Sequence, residues 1–317
     1  MVKPVVIALL AGAVSALALL TFAVGGPGAL VLINLTPLPL MIVGLGLGVV
    51  PAGIAGAGGT VIAGLAGSGT LGAIFLGVFA VPVVVMVRQA LLRRPAPPAG
   101  DAAAGGADEW YPIGSVVSLL AALVAATLVV AVTVGVGHQE DLRQVVSDML
   151  EQALAVLAPT LGDLDQDRMA AIMTPLFPGT VGTSWLLMLV ANGALAQGIL
   201  VKAGRNLRPR TRYVTMTLPD WASWALVAAA AVTLLGSGNL EYMGQNLALI
   251  LALPFFLLGL AVAHAVARRL PQRGVALGAL YVVVLLSGWA ALVVVAAGLI
   301  EQWAGIRRRF APVGPQT

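Results

Sequence analysis

The 317-residue chain has no cysteine, two histidines and two lysines. Without cysteine there are no disulfides and no thiolate metal sites. A phosphate-binding loop needs a lysine just after its glycines, and neither Lys3 nor Lys202 is so placed. Charge of either sign is scarce, at 9% of residues, where a soluble domain carries about 25%. Carboxylates are missing from the interiors of the apolar runs, since Asp220, Glu241 and Glu301 all fall near run ends. A carboxylate buried in lipid is costly and is retained for use, so the sequence argues against a proton-coupled antiporter. His138 and His264 fall on opposite sides of the topology derived below, which argues against a two-histidine metal site and a membrane metalloprotease. The chain therefore reads as non-enzymatic, with no catalytic residue, no metal and no cofactor.

What is abundant is apolar surface: 60% of residues are hydrophobic and the mean hydropathy is +1.00. Uncharged runs approach the ~20 residues needed to cross a hydrocarbon core. In lipid every backbone N–H and C=O needs an internal partner, and the alternating pattern of a membrane β-barrel is absent. The fold class is all-α, a polytopic transmembrane helical bundle, with the lipid bilayer as its first partner. Eight spans are expected: Val5–Val24, Ala29–Val49, Ala52–Ala66, Leu71–Val87, Ile113–Gly137, Val181–Val201, Ala222–Leu235 and Gln245–Ala267. Val5–Val24 after Lys3 resembles a signal peptide, but the run is longer than a typical signal core and more spans follow. A ninth apolar stretch, Val275–Ile300, is ambiguous. At 1.5 Å per residue it spans about 39 Å, too short for two full crossings. Two readings stay open there, a helix broken near Ser287 and Gly288 that re-enters and a tail that departs from the charge rule.

Arg93–Pro112, with Pro95, Pro97 and Pro98 and little apolar content, reads as a disordered linker. It separates a glycine-rich four-helix lobe, residues 1–92, from a second lobe, residues 113–317. The basic residues Lys3, Arg88, Arg93, Arg94, Lys202, Arg205, Arg208, Arg210, Arg212, Arg268, Arg269 and Arg273 all fall on one side of this arrangement. The positive-inside rule makes that side the cytoplasm. The chain then sits in a bacterial inner membrane, multi-pass, with a cytoplasmic N-terminus. The net charge of +4 is thus topogenic and does not mark a nucleic-acid footprint. The excursion His138–Gly179 holds seven acidic residues and faces outward. Within it, Leu142, Val145, Val146, Met149, Leu150, Leu154 and Leu157 recur at helical spacing, an amphipathic helix lying along the outer surface.

Gly44, Gly48, Gly56 and Gly64 belong to the densest glycine tract and read as helix-packing positions, because small residues let transmembrane backbones approach. Ala8, Gly12 and Ala16, four apart, form a second small-residue face, either an internal contact or a docking face for a membrane partner subunit. The polar groups inside spans are Asn34 and Thr36, beside Pro37 and Pro39, with Asn192, Gln197 and Asn246. An amide in hydrocarbon needs partners, so these are either interhelical clamps or the lining of a cavity for a small neutral or zwitterionic solute. Trp221 and Trp224, at a span entrance, suit an interfacial belt.

Three stretches resemble the YybS-like family of bacterial predicted membrane proteins. They are Leu35-Thr36-Pro37-Leu38-Pro39 running into Gly44-Leu45-Gly46-Leu47-Gly48; Leu218-Pro219-Asp220-Trp221-Ala222-Ser223-Trp224 with Asn246–Ile250 and Gly259–Val262; and Gly298-Leu299-Ile300-Glu301-Gln302-Trp303 before Arg307–Arg309. The first lobe more loosely resembles the substrate-binding S components of energy-coupling-factor transporters and the shape protein MreD. S components dock through small residues of their first helix, a part that resemblance assigns to Ala8, Gly12 and Ala16. It implies the solute-binding subunit of a transporter that borrows an ATPase. The MreD likeness implies a scaffold recruiting envelope or cell-division partners. An enzyme on a lipid-linked substrate would need a carboxylate or histidine cluster at one interface, which the sequence does not display.

Overall fold

The computed structural model describes residues 3–25, 28–94, 109–135, 141–161, 165–210 and 213–309. His138, most of the expected linker and Arg212 lie outside them. The helices are α1 (Pro4–Val24), α2 (Ala29–Leu35), α3 (Pro37–Leu47), α4 (Val49–Ala66), α5 (Gly69–Ile74), α6 (Val81–Ala90), α7 (Ile113–Gly135), α8 (Leu142–Leu161), α9 (Gln166–Met173), α10 (Phe177–Lys202), α11 (Asp220–Leu235), α12 (Asn239–Ala267), α13 (Arg273–Leu286), α14 (Gly288–Ala304) and α15 (Ile306–Arg309). A π-helical segment, Phe75–Ala80, joins α5 to α6. The fold is all-α, with one two-residue antiparallel clip among the described residues, β1 (Arg93–Arg94) on β2 (Glu109–Trp110). That clip orders both ends of the stretch read as a disordered linker.

Among the described residues seven helices, some spanning short breaks, are long and apolar enough to cross a membrane: Pro4–Phe22, Ala29–Leu47, Val49–Ala66, Gly69–Ala90, Ile113–Thr133, Gln166–Lys202 and Asn239–Ala267. The expected span at 222–235 is α11, which at 16 residues is shorter than these seven. The ambiguous C-terminal stretch is two helices, α13 and α14, bent by 119°. The break is at Ser287, whose extended backbone (φ −137°, ψ 113°) interrupts the helical hydrogen bonding just before Gly288. The break expected near Ser287 and Gly288 is present, with the bend of a broken span or a re-entrant loop.

Packing divides the chain into two units that differ from the two lobes read in the sequence. The first comprises residues 1–120 and 187–212, the second residues 121–186 and 213–317. The linker is thus not the boundary, because the C-terminal half of α10 packs with the early helices. In the first unit α1 lies along α4: Ala8 and Ala16 are fully buried, and a Cβ on Gly12 would overlap the Ala55 carbonyl oxygen. α3 meets α6 where a Cβ on Gly44 would stand 2.6 Å from a Val87 methyl. Gly193 of α10 gives its space to the Met86 side chain. In the second unit α11 and α12 form a hairpin, with Gly244 close against Thr233. α14 lies along α12, and the two touch through backbone at Gly259 and Gly298. The amphipathic α8 buries Leu150 and Leu154 against Ala170 of α9.

Candidate functional site

A recess with both polar and apolar walls lies wholly in the second unit, where the 213–220 segment meets the end of α14. Its geometry starts at Gly305, which ends α14 in the left-handed conformation (φ 58°, ψ 45°), accessible to glycine without a Cβ penalty. In an unbroken helix residues six apart point to different faces. The turn at Gly305 instead folds the chain back so that Arg307 meets Glu301. The Arg307 Nε donates to Glu301 Oε1 at 2.8 Å, and the Arg307 main-chain N–H donates to Oε2 at 2.9 Å. The pair is largely buried, with side chains 16% and 6% exposed. The guanidinium also donates to the carbonyls of Val214 and Met216, which pins the segment entering α11. Gln302 adds a second tie, donating through Nε2 to the Leu218 carbonyl at 3.0 Å and to Asp220 Oδ1 at 3.3 Å.

These ties border an open recess of about 600 Å³ lined by Thr215, Thr217, Asp220, Gln302, Trp303 and Leu258, among others. That is the size range of small-molecule sites, in which a few convergent polar groups stand in an apolar wall. Two carboxylates, Asp220 and Glu301, thus do reach one recess, which the sequence reading did not anticipate. Glu301 spends both oxygens on Arg307, so among the described lining residues the Asp220 carboxylate is in excess over that one cation. Among the described residues no three His, Asp or Glu side chains group as a metal site.

The amides named from the sequence are placed elsewhere. In the first unit Asn192 Nδ2 donates to the carbonyls of Asn34 and Met188, both at 2.8 Å, so it ties α10 to the α2 turn just ahead of the Pro37 break. The Asn34 side chain itself returns to the Leu30 carbonyl, and Thr36, fully buried, points its hydroxyl toward the Leu32 carbonyl. Gln197 donates to the Arg208 carbonyl at 2.8 Å. The oxygens Asn192 Oδ1 and Gln197 Oε1 are buried with no hydrogen-bond partner among the described residues. In the second unit Asn246 accepts from the Gly179 N–H at 2.7 Å and donates to the Pro175 and Tyr242 carbonyls. The face formed by Ala8, Gly12 and Ala16 is covered by α4 of the same chain. Of the tract glycines, Gly56 abuts Ala80 and Gly64 approaches Gly72, whereas Gly48 (φ 110°) has open space around it and turns the chain from α3 into α4. His264 holds the Leu260 carbonyl through Nδ1 at 2.9 Å and meets the Tyr281 hydroxyl through Nε2 at 3.5 Å. Trp221 and Trp224 are exposed.

Sequence reasoning passed over Thr215, Thr217, Glu301, Gln302 and Arg307 as site residues. A signal was present: the 218–224 and 298–303 stretches, each quoted above for its resemblance, are the two that Gln302 joins. Residues 12–301 match the family model described as a predicted membrane protein (DUF2232). No curated protein and no solved structure matches the chain.

Proposed function

We propose, from the premise that this chain belongs to the DUF2232 family of predicted membrane proteins, that it is a non-catalytic, multi-pass inner-membrane subunit that recognises a small zwitterionic solute for transport. The observation that carries this reading is the recess between the 213–220 segment and α14. A buried ion pair and a bridging glutamine hold its walls in place, so its polar groups are preorganised before any ligand arrives. With one carboxylate in excess, the recess favours a ligand that presents an ammonium to Asp220 and an apolar or acidic remainder to Trp303 and the threonines. The chain has no phosphate-binding loop, so energy for movement comes from a partner ATPase. That partner docks elsewhere than on Ala8, Gly12 and Ala16, which α4 already covers.

The positive-inside rule supplies the sidedness of this reading. Because Arg307 returns to the segment that follows Arg205–Arg210, the reading puts the recess toward the cytoplasm and Arg307 on the same side as the other basic residues. A second reading, the membrane scaffold, is favoured by one observation: Asn192 and Asn246 donate to main-chain carbonyls of other elements, at Asn34 and Pro175, as interhelical clamps do. Thermal unfolding in detergent against a panel of amino acids, betaines and polyamines separates the readings. The transport reading expects at least one zwitterion to raise the melting temperature of the wild type but not of Asp220→Asn. A scaffold would respond to none.

A further inference from the structure

A second cleft, of about 180 Å³, opens in the second unit beneath the amphipathic helix α8, between the last turns of α7 and the first turns of α12. Its walls are Leu128 and Val132 of α7, Val145 and Met149 of α8, Pro178 and Met243, among others. Two polar side chains also border it, Tyr242 and Asn246, but both are committed inward. The Tyr242 hydroxyl donates to the Thr174 carbonyl at 2.7 Å, and Asn246 is engaged with Gly179, Pro175 and Tyr242. A water molecule there would lack the two to four polar partners that hold one, and a polar solute would lose its own hydration unpaid. The cleft accepts hydrocarbon.

We infer that this cleft is a binding site for a stretch of one acyl chain of a bilayer glycerophospholipid, whose phosphate rests against Arg143. The occupant follows from position and charge. The cleft lies at the ends of two membrane-crossing helices, hence at a membrane interface whichever side that is, and α8 presents a polar face above and an apolar face below it. Arg143, on α8, is exposed, and its guanidinium carbon stands 5.7 Å from the centroid of the Tyr242 ring at the cleft wall. The nearest acid in sequence, Asp141, turns its Oδ1 to the Arg143 main-chain N–H at 3.0 Å. The Asp141 carboxylate lies within electrostatic reach of the same ring, and a phosphate beside the exposed guanidinium would offer it charge-assisted hydrogen bonds. The apolar underside of α8, including the exposed Met149, then lies on acyl chains as an interfacial helix does.

Native mass spectrometry of the delipidated full chain in detergent, titrated with dioleoylphosphatidylglycerol, dioleoylphosphatidylcholine or glycerol phosphate, tests this directly. One phosphatidylglycerol bound per chain, tighter than phosphatidylcholine, is expected, with no binding of tail-less glycerol phosphate. Val145→Trp, which fills the cleft, and Leu128→Trp, which fills it from the opposite wall, should each weaken that binding at least tenfold. Arg143→Gln should remove the preference for phosphatidylglycerol and leave phosphatidylcholine binding as it was. Glycerol phosphate bound as well as the whole lipid would overturn the inference in favour of a headgroup site. Wild type retaining no stoichiometric lipid would also overturn it, as would a folded tryptophan variant that binds lipid like the wild type.

Discussion

Arg307 satisfies its guanidinium within the protein, on one carboxylate and two carbonyls, so removing Glu301 strands a buried cation. Breaking such a pair by deleting one partner costs about 3 kcal/mol or more. Glu301→Gln should therefore lower the melting temperature in detergent by several degrees. Glu109→Gln should leave it unchanged within error, because its partner Arg94 and Glu109 itself are 84% and 76% exposed and exposed pairs contribute little. The amides sort the same way. Asn246→Leu forfeits three main-chain hydrogen bonds, on the order of 0.6 kcal/mol each, whereas Asn34→Leu forfeits one bond within its own helix. Urea or thermal unfolding that ranks Asn34→Leu as the more damaging change would contradict these placements. At this scale the sequence showed which polar residues sit in apolar runs but not what they hold. Asn246 meets Gly179, 67 residues away, and no local pattern reports such a pairing.

Among the elements, the closest approaches are made by glycines outside the dense tract. α12 and α14 meet backbone to backbone at Gly259 and Gly298, where any Cβ would overlap the carbonyls of Val294 and Phe255. Gly298→Leu should abolish folded yield, since overpacking a backbone contact has no rotamer to escape into. Gly278→Leu, on α13 where nothing stands within 4 Å, should express and melt like the wild type. Equal yields for the two would mean α14 does not pack on α12 as described. The spans themselves were legible because apolar length depends on composition alone. The bend at Ser287 was legible only as one of two alternatives, since a single Ser-Gly pair permits a break but does not require it. Glu301 was missed because the pairing depends on the positive φ at Gly305, which inverts the face that Arg307 would have had in a continuous helix.

For the whole molecule, the division by charge and the division by packing are separate facts. The proline-rich linker looked like a domain boundary because it is polar, yet residues 187–212 group with the first 120. Sidedness, by contrast, rests on charge, and the absence of native cysteine makes it simple to test. Glu109→Cys and Glu151→Cys, both at exposed positions, should react with an impermeant maleimide from opposite faces of the membrane, Glu151→Cys from outside whole cells and Glu109→Cys only after lysis. Labelling of both from one side would contradict the proposed topology. The central claim, that the recess at Asp220 and Gln302 holds a small solute, is tested most directly by native mass spectrometry of the chain extracted gently from its own membrane. The account predicts a non-lipid adduct of a few hundred daltons or less on the wild type that is missing from a folded Asp220→Asn, Gln302→Leu double variant. An adduct of the same mass and occupancy on both proteins, or on neither, would contradict it.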